Sequence, residues 1–424
     1  MKKIKLSTMG WVICSLAAIF YCYEYLLRIT PSVMVSELMT AFQINATELG
    51  MLSAFFYFTY TPMQIIVGPL SDIYGPRRIL ILAILTCTLG SYIFSVSDTL
   101  LTAAIGRALI GFGSSFAFVC ILKLADSWLP QKFFALFVGL TTALGMIGAI
   151  FQITTFSVII NNIGWKNAIN LGTITGLMLI PLIWLIIRDH PSNHPKKTQP
   201  NYSKILLGLL TIIKNPQMWI NGIIACILYL SLSLFAELWG IPFLSQVYQL
   251  SKSEATSTCS MIYLGWLIGG PLVGYLSDVT CSRKMPIVVG YLLATLTISI
   301  VVYLPTINIL LLNWLLFFFG LFASAQVICF AISSENNPKY LIATASSFTN
   351  FLTMISGFIA QPMVGKILDL LWSGDTINGL RYYSKSNYQI AFFILPLSFI
   401  VGFILTFFLR ETGDKKKSEQ QFPH

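Results

Sequence analysis

The chain has 424 residues, of which 56% are hydrophobic and only 10% charged, whereas an ordinary soluble domain carries about 25% charged residues. In water a fold of this composition would expose apolar surface on every side, so its solvent is lipid, and soluble enzymes, nucleic-acid binders and secreted domains are excluded. The net charge of +10, from 26 Lys+Arg against 16 Asp+Glu, needs no anionic partner if the excess lies on one side of the membrane.

A lipid-spanning helix uses about 20 apolar residues, so about twelve helices would take up roughly 250 residues and leave only short connections. The apolar runs place the first six spans at 11–33, 50–70, 79–96, 100–122, 134–160 and 168–187. The opening Met1-Lys2-Lys3 and the apolar stretch behind it are compatible with a secretory signal, but no small-x-small cleavage site follows. The run instead continues through Glu24 to Arg28, so it reads as a retained first span. A polar stretch rich in proline and charge follows span 6 and prevents a further span. It reads as a linker, with an interfacial helix at 205–213. Six more spans follow at 218–243, 258–276, 286–304, 310–332, 343–371 and 388–409. The domains are then an N-terminal six-helix bundle (1–188), a cytoplasmic linker (189–216), and a C-terminal six-helix bundle with a short tail (217–424).

This arrangement puts most Lys and Arg on one side, among them Lys2, Lys3, Arg77, Arg78, Lys196, Lys197, Arg283, Lys284 and Lys415 to Lys417. The other side receives only Lys166, Lys252, Lys366, Arg381 and Lys385. The positive-inside rule therefore places both termini in the cytoplasm. The eight cysteines are scattered, with no Cys-x-x-Cys and no Cys/His cluster of zinc spacing, and read as small hydrophobes. His190 and His194 sit in the Pro-rich linker as solvated polar residues, so neither metal nor cofactor is expected.

The halves repeat. Gly68-Pro69-Leu70-Ser71-Asp72 followed by Arg77-Arg78 matches Gly274-Tyr275-Leu276-Ser277-Asp278 followed by Arg283-Lys284, without a gap. Both copies close the second span of their half, and such duplication marks transporters whose halves rock about a site near the bilayer midplane.

On these residues the chain resembles the major facilitator superfamily. Gly68-x-x-x-Asp72-x-x-Gly75-Pro76-Arg77-Arg78 is similar to its loop 2–3 signature, and Arg107-x-x-x-Gly111-x-Gly113 to its span 4 motif. Gly164-Trp165-Lys166 and Arg410-Glu411-Thr412 fit its usual punctuation. Ile73 departs from the pattern where a basic residue is common, and Cys281 stands in the second copy where Gly75 stands in the first. The span 5 antiporter motif is poorly met by residues 139–148, which counts against drug efflux. Residues 23–34, from Tyr23-Glu24-Tyr25 to Val33-Met34, and residues 237–244 resemble segments of the intraphagosomal amino-acid transporters of intracellular bacteria. That resemblance implies proton-coupled uptake of an amino acid across a bacterial inner membrane.

Four ionisable residues fall deep in the spans: Glu24 and Arg28 in span 1, Arg107 in span 4 and Glu237 in span 7. Each Arg or Asp at a helix centre costs about 2.5–3.5 kcal/mol on insertion scales, so the four must pair, face a wet cavity, or both. Glu24 and Arg28 are four residues apart and share a helical face with Tyr21. One reading makes Glu24 or Glu237 the proton site and gives Arg28 or Arg107 a substrate carboxylate, which guanidinium binds through two parallel bonds. The arrival of an anionic substrate at that Arg would then shift the protonation of the carboxylate. The other reading is a permanent Glu24–Arg28 or Glu24–Arg107 pair that fixes helix packing, with Arg107 alternatively bonded to backbone carbonyls.

The motif residues Gly68, Asp72, Gly75, Arg77 and Arg78, with Gly274, Asp278 and Arg283 in the second copy, sit at helix ends where charge and helix dipole can latch one state. The resemblance implies that Asp72 holds the cytoplasmic gate closed against span 11; topology alone would explain the Arg pair. Weaker substrate-site candidates are Tyr57, Tyr229, Tyr263, Gln326, Asn350 and Gln361, about half of which are expected to be packing contacts. Tyr57 and Tyr263 correspond across the repeat, and Gln361-Pro362 marks a kink.

The sequence thus predicts an all-α integral membrane protein of twelve helices in two pseudo-symmetric bundles. It would be a secondary transporter working as a monomer by alternating access, with a small-molecule substrate, proton coupling and the bilayer as its solvent. The alternatives are a proton-antiporting exporter of drugs or metabolites and a transporter-like nutrient sensor. An enzyme is not expected, because no nucleophile–base or metal-ligand set falls within a span.

Overall fold

A computed structural model describes residues 2–190, 202–304, 307–338, 341–377 and 379–412. The chain is almost entirely helical, as lipid requires: without water to bond to, each backbone N–H and C=O must be satisfied within its own helix. Among the described residues, eleven helices are long and apolar enough to cross a membrane. They are span 1 (Thr8–Val33), span 3 (Pro76–Ser95), span 4 (Leu100–Trp128), span 5 (Leu136–Ile163), span 6 (Trp165–Ile186), span 7 (Pro216–Val247), span 8 (Lys252–Val279), span 9 (Lys284–Tyr303), span 10 (Ile309–Glu335), span 11 (Ile342–Leu370) and span 12 (Lys385–Thr406). The helix Ala46–Tyr74, 29 residues long, is span 2 and brings the count to twelve. Tyr57, Thr59, Tyr60, Thr61 and Gln64 crowd its middle and make it the least apolar of the set.

The helices overrun the predicted spans by a turn or so at many ends, because a helix of 26–32 residues at 1.5 Å per residue is longer than the hydrocarbon is thick. Their ends carry recognisable caps. Thr99 accepts from the Thr102 N–H, Asn215 caps span 7 ahead of Pro216, and Ser251 with Glu254 forms a capping box on span 8. Among the described residues two short helices lie outside the spans: Val35–Phe42, between spans 1 and 2, and Tyr202–Ile213, which includes the helix expected in the linker. Between spans 11 and 12, β1 (Thr376–Ile377) and β2 (Leu380–Arg381) pair antiparallel.

The chain divides into two compact units. Unit 1 comprises Met1–Thr30 and Phe55–Leu206, and unit 2 comprises Pro31–Ala54 and Leu207–His424. The first turns of span 2 therefore count with unit 2 and the remainder with unit 1. The same crossing recurs in each unit. In unit 1 Gly111 of span 4 lies directly against the Phe56 carbonyl of span 2, and in unit 2 Gly320 of span 10 lies directly against the Ile262 carbonyl of span 8. A side chain at either glycine would strike backbone, so each crossing depends on the missing Cβ of its glycine. Phe56 and Ile262 keep the 206-residue spacing of the motif, and the adjoining Tyr57 and Tyr263 are both fully buried.

Candidate functional site

In unit 1 the three intramembrane charges gather into one cluster. Glu24 and Arg28, one helical turn apart on span 1, are 0% and 3% exposed, and Arg107 of span 4 is 1% exposed. Arg28 Nη2 lies 3.3 Å from both Glu24 carboxylate oxygens. Its guanidinium also stacks over Tyr25, Phe56 and Tyr60 at 4.5–5.1 Å, a cation–π arrangement that strengthens as water is excluded.

Arg107 takes a different set of partners. It donates to the Leu27 carbonyl at 2.8 Å and to the Arg28 carbonyl at 3.1 Å, and sits 5.2 Å from the Phe56 ring. Local sequence explains the first bond. A helix would pair Leu27 O with the N–H four residues on, but that residue is Pro31, which has none. Span 1 turns into a 3-10 segment at Thr30–Val33, and the planar fork of Arg107 fills the vacancy. Both of these Arg107 bonds go to backbone carbonyls of span 1. Nearby, Gln152 donates to Thr30 Oγ1 at 3.0 Å from a π-helical turn of span 5 (Gln152–Phe156). Tyr21 is buried with its ring 5.3 Å from Tyr25 and 5.4 Å from Phe118.

In unit 2 Glu237 is 1% exposed and lies within a π-helical stretch, Ser231–Trp239, in the middle of span 7. Such wide turns concentrate at functional sites, and propensity gave no sign of this one. The donor recorded for Glu237 is Tyr229 Oη, at 3.3 Å; the sequence had named both residues without joining them. Trp266 donates to Ser231 Oγ at 3.1 Å. Gln361 of span 11 donates to the Ser233 carbonyl at 2.6 Å, while its own backbone carbonyl accepts from Trp239 Nε1 at 2.9 Å. Ser233 and Ser356 share a 2.8 Å hydroxyl contact. Gln326 of span 10 donates to Thr353 at 3.4 Å, and Asn350 is half-buried on span 11. Asn221, which the sequence reading passed over, bonds the Cys329 carbonyl at 2.9 Å. A buried amide in an otherwise apolar span was the signal available for it.

The two loop motifs anchor their own units in matching ways. In unit 1 Asp189 accepts the Arg77 N–H at 2.7 Å, and Arg77 Nη2 reaches the Trp184 carbonyl at 2.5 Å. Gly75 has φ +80, and a Cβ there would lie 2.8 Å from the Asp189 carboxylate. Arg78 is exposed, the Asp72 side chain lies outside the described residues, and Gly68 and Gly274 have open space where a side chain would stand. In unit 2 Glu411 takes the place of Asp189, accepting the N–H groups of Arg283 at 2.8 Å and Lys284 at 3.0 Å. Arg283 bonds Asp278 at 3.0 Å, Ser277 at 2.9 Å and Glu335 at 2.7 Å. Burial works against its charge, but Glu335 and Asp278 outweigh burial and raise its pKa. Cys281 keeps the left-handed backbone of its counterpart Gly75, at φ +49. In each unit, then, a carboxylate beyond the last span caps the start of the third.

The Major Facilitator Superfamily model matches residues 14–361, and the chain belongs to that superfamily. Among its relatives, the probable galactarate/D-glucarate transporter GudP of Bacillus subtilis is 23% identical, over 94% of this chain and 93% of that protein. The probable galactarate/D-glucarate transporter GarP of Escherichia coli is 21% identical, over 82% and 86%. The probable hexose phosphate transport protein of Chlamydia pneumoniae is 22% identical, over 84% of each. The fold is shared with a bacterial homologue of the human lysosomal transporter Spinster, solved inward-facing and unoccupied (TM-score 0.75, 14% identity, 95% of each chain). It is also shared with the nucleoside transporter NupG (TM-score 0.75, 14% identity, 95% of this chain and 99% of that one). The protein is a multi-pass secondary transporter for small molecules, and not an enzyme.

Proposed function

We propose that the chain imports a small carboxylate-bearing nutrient, an amino acid or a similar compound, together with protons. It would work as a monomer in a bacterial inner membrane with both termini in the cytoplasm. The observation that carries this reading is the buried Glu24–Arg28 pair at 3.3 Å, an anion and a cation withdrawn from water on one face of span 1. Arg28 already presents its planar guanidinium to a carboxylate, that of Glu24, whereas Arg107 donates to span 1 carbonyls. A substrate carboxylate on Arg28 would compete with Glu24. A carboxylate that loses its cation in a low-dielectric site gains stability by taking a proton, so binding and protonation become linked. Glu237 with Tyr229 is the second proton-site candidate.

The relatives are named as probable transporters of galactarate and D-glucarate and of hexose phosphate. Their anionic cargo supports a carboxylate substrate and favours a sugar acid as the second reading; the poor span 5 motif disfavours proton-antiporting export. The test is a thermal-shift screen of purified protein against amino acids and against galactarate and glucarate, followed by proteoliposome uptake with and without an imposed pH gradient. Stabilisation by an amino acid with gradient-driven uptake is expected. Stabilisation by the sugar acids alone selects the second reading, and uptake that ignores the gradient removes proton coupling. Glu237→Gln should abolish gradient-driven uptake while retaining exchange, and an unchanged pH dependence would remove Glu237 from the proton role.

A further inference from the structure

Asp369 is in the wrong place for its own helix. It lies at the C-terminal end of span 11, where the helix dipole disfavours an anion, and its side chain is about 10% exposed. It is nevertheless fully engaged. One oxygen accepts from the Thr47 N–H at 2.8 Å and the Thr47 hydroxyl at 2.5 Å; the other accepts from Tyr383 Oη at 2.6 Å and Arg381 Nη1 at 3.0 Å. Arg381, carried on β2, is itself stacked on Trp372 at 4.4 Å. The helix that Asp369 does suit is span 2, whose four unpaired N-terminal N–H groups are all accounted for. Leu49 and Glu48 bond to Asn45, but Thr47 goes to Asp369 and Ala46 to Tyr383 Oη at 3.3 Å.

Spans 2 and 11 also meet without intervening side chains. A Cβ at Gly50 would lie 2.6 Å from the Gln361 carbonyl and 2.7 Å from Pro362 Cα. A second tie, Lys252 to Glu37, holds the short helix Val35–Phe42 to the start of span 8. Between the two ties lies a cavity of about 280 Å³ lined by Ser36, Met39, Trp239, Ser245, Lys252 and Arg381. Span 2 is the helix divided between the two units, at Ala54 and Phe55.

We propose that Asp369 is a positioning residue of the transport cycle. It latches the first turn of span 2 to the end of span 11 through Thr47, with Arg381 and Tyr383 holding the carboxylate in place, and release of this latch frees segment 31–54 and opens the cavity beneath it. The loop 2–3 motif occupies the far end of span 2, so this helix would carry a polar fastening at each end. The latch rests on alternating access and not on the identity of the substrate or on proton coupling.

The test measures reaction of a cysteine placed at Ser245 in the cavity with a hydrophilic maleimide, read on its peptide by mass spectrometry in purified protein without substrate. In Asp369→Asn, labelling at position 245 should rise about threefold or more over the parent. In Thr47→Val, which keeps the backbone donor, it should rise about twofold. The native Cys259, fully buried in unit 2, should stay unlabelled throughout. No rise at 245 in either variant that purifies as a folded monodisperse protein overturns the latch, as does an equal rise at Cys259, which would mean general loosening. Should Asp369→Asn fail to fold, Thr47→Val decides alone.

Discussion

The two units keep their buried polar groups by different means. Unit 1 holds real charges: Arg28 against Glu24, and Arg107 against two carbonyls of span 1. In unit 2 the recorded contacts of spans 7 and 11 are mostly between neutral groups, Gln361 on the Ser233 carbonyl and Ser233 on Ser356, with Glu237 the acid among them. Yet span 1 and span 7 each depart from the regular helix near these groups, span 1 with a 3-10 turn at Thr30–Val33, where the chain passes from unit 1 into unit 2, and span 7 with nine π-helical residues. Irregular backbone at membrane depth persists only where protein or a cavity satisfies it. At both breaks that place is supplied by a long side chain from another span. Charge and irregular backbone are therefore separable: unit 2 retains the break with little of the charge.

The largest effect that would test this contrast is expected from Arg28→Met, which leaves Glu24 buried without its cation. It should cost about 3–5 kcal/mol in thermal or denaturant unfolding, and the double variant Glu24→Gln/Arg28→Met should recover most of the loss. Equal losses in the single and double variants would mean that pairing does not set the stability of unit 1. Gln361→Leu, the matching change in unit 2, should cost less, about 1–3 kcal/mol, because it removes a neutral amide from its bonded carbonyl. A loss as large as that of Arg28→Met would erase the distinction. The smallest effects concern the two loops. Gly75→Ala forces a side chain into a left-handed backbone beside Asp189 and should destabilise by about 1–2 kcal/mol, whereas Cys281→Gly should stabilise by up to about 1 kcal/mol. Opposite signs in the same unfolding assay would show that the positive φ at each position sets the effect.

The fold was legible from the sequence because lipid leaves few choices: apolar runs of sufficient length become helices, and the repeat of Gly68 to Arg78 in Gly274 to Lys284 marks the two halves. The site was legible to the extent that cost reveals it. Glu24, Arg28, Arg107 and Glu237 stood out because an ion within a span must have a reason. The partners were not legible, since they depend on which helices meet. Nothing in the run before Asp189 or Glu411 marks either as the cap of a distant helix, and Asp369 looks like a surface acid until Thr47 is seen beside it. The π-helical stretch of span 7 has no local signature either; its contacts are with Trp266 of span 8 and Gln361 of span 11.

The paired crossings at Gly111 and Gly320 bear on how such a protein can change over time. Side chains around them differ between the halves, including the pairs Phe56 with Ile262 and Arg107 with Leu316, while the bare meeting of two backbones is present twice. A duplicated gene can redecorate its pockets freely, but it cannot thicken the axle on which each bundle is assembled. A saturation library should accordingly tolerate broad variation at the candidate substrate residues and almost none at these two glycines, whatever cargo is used for selection.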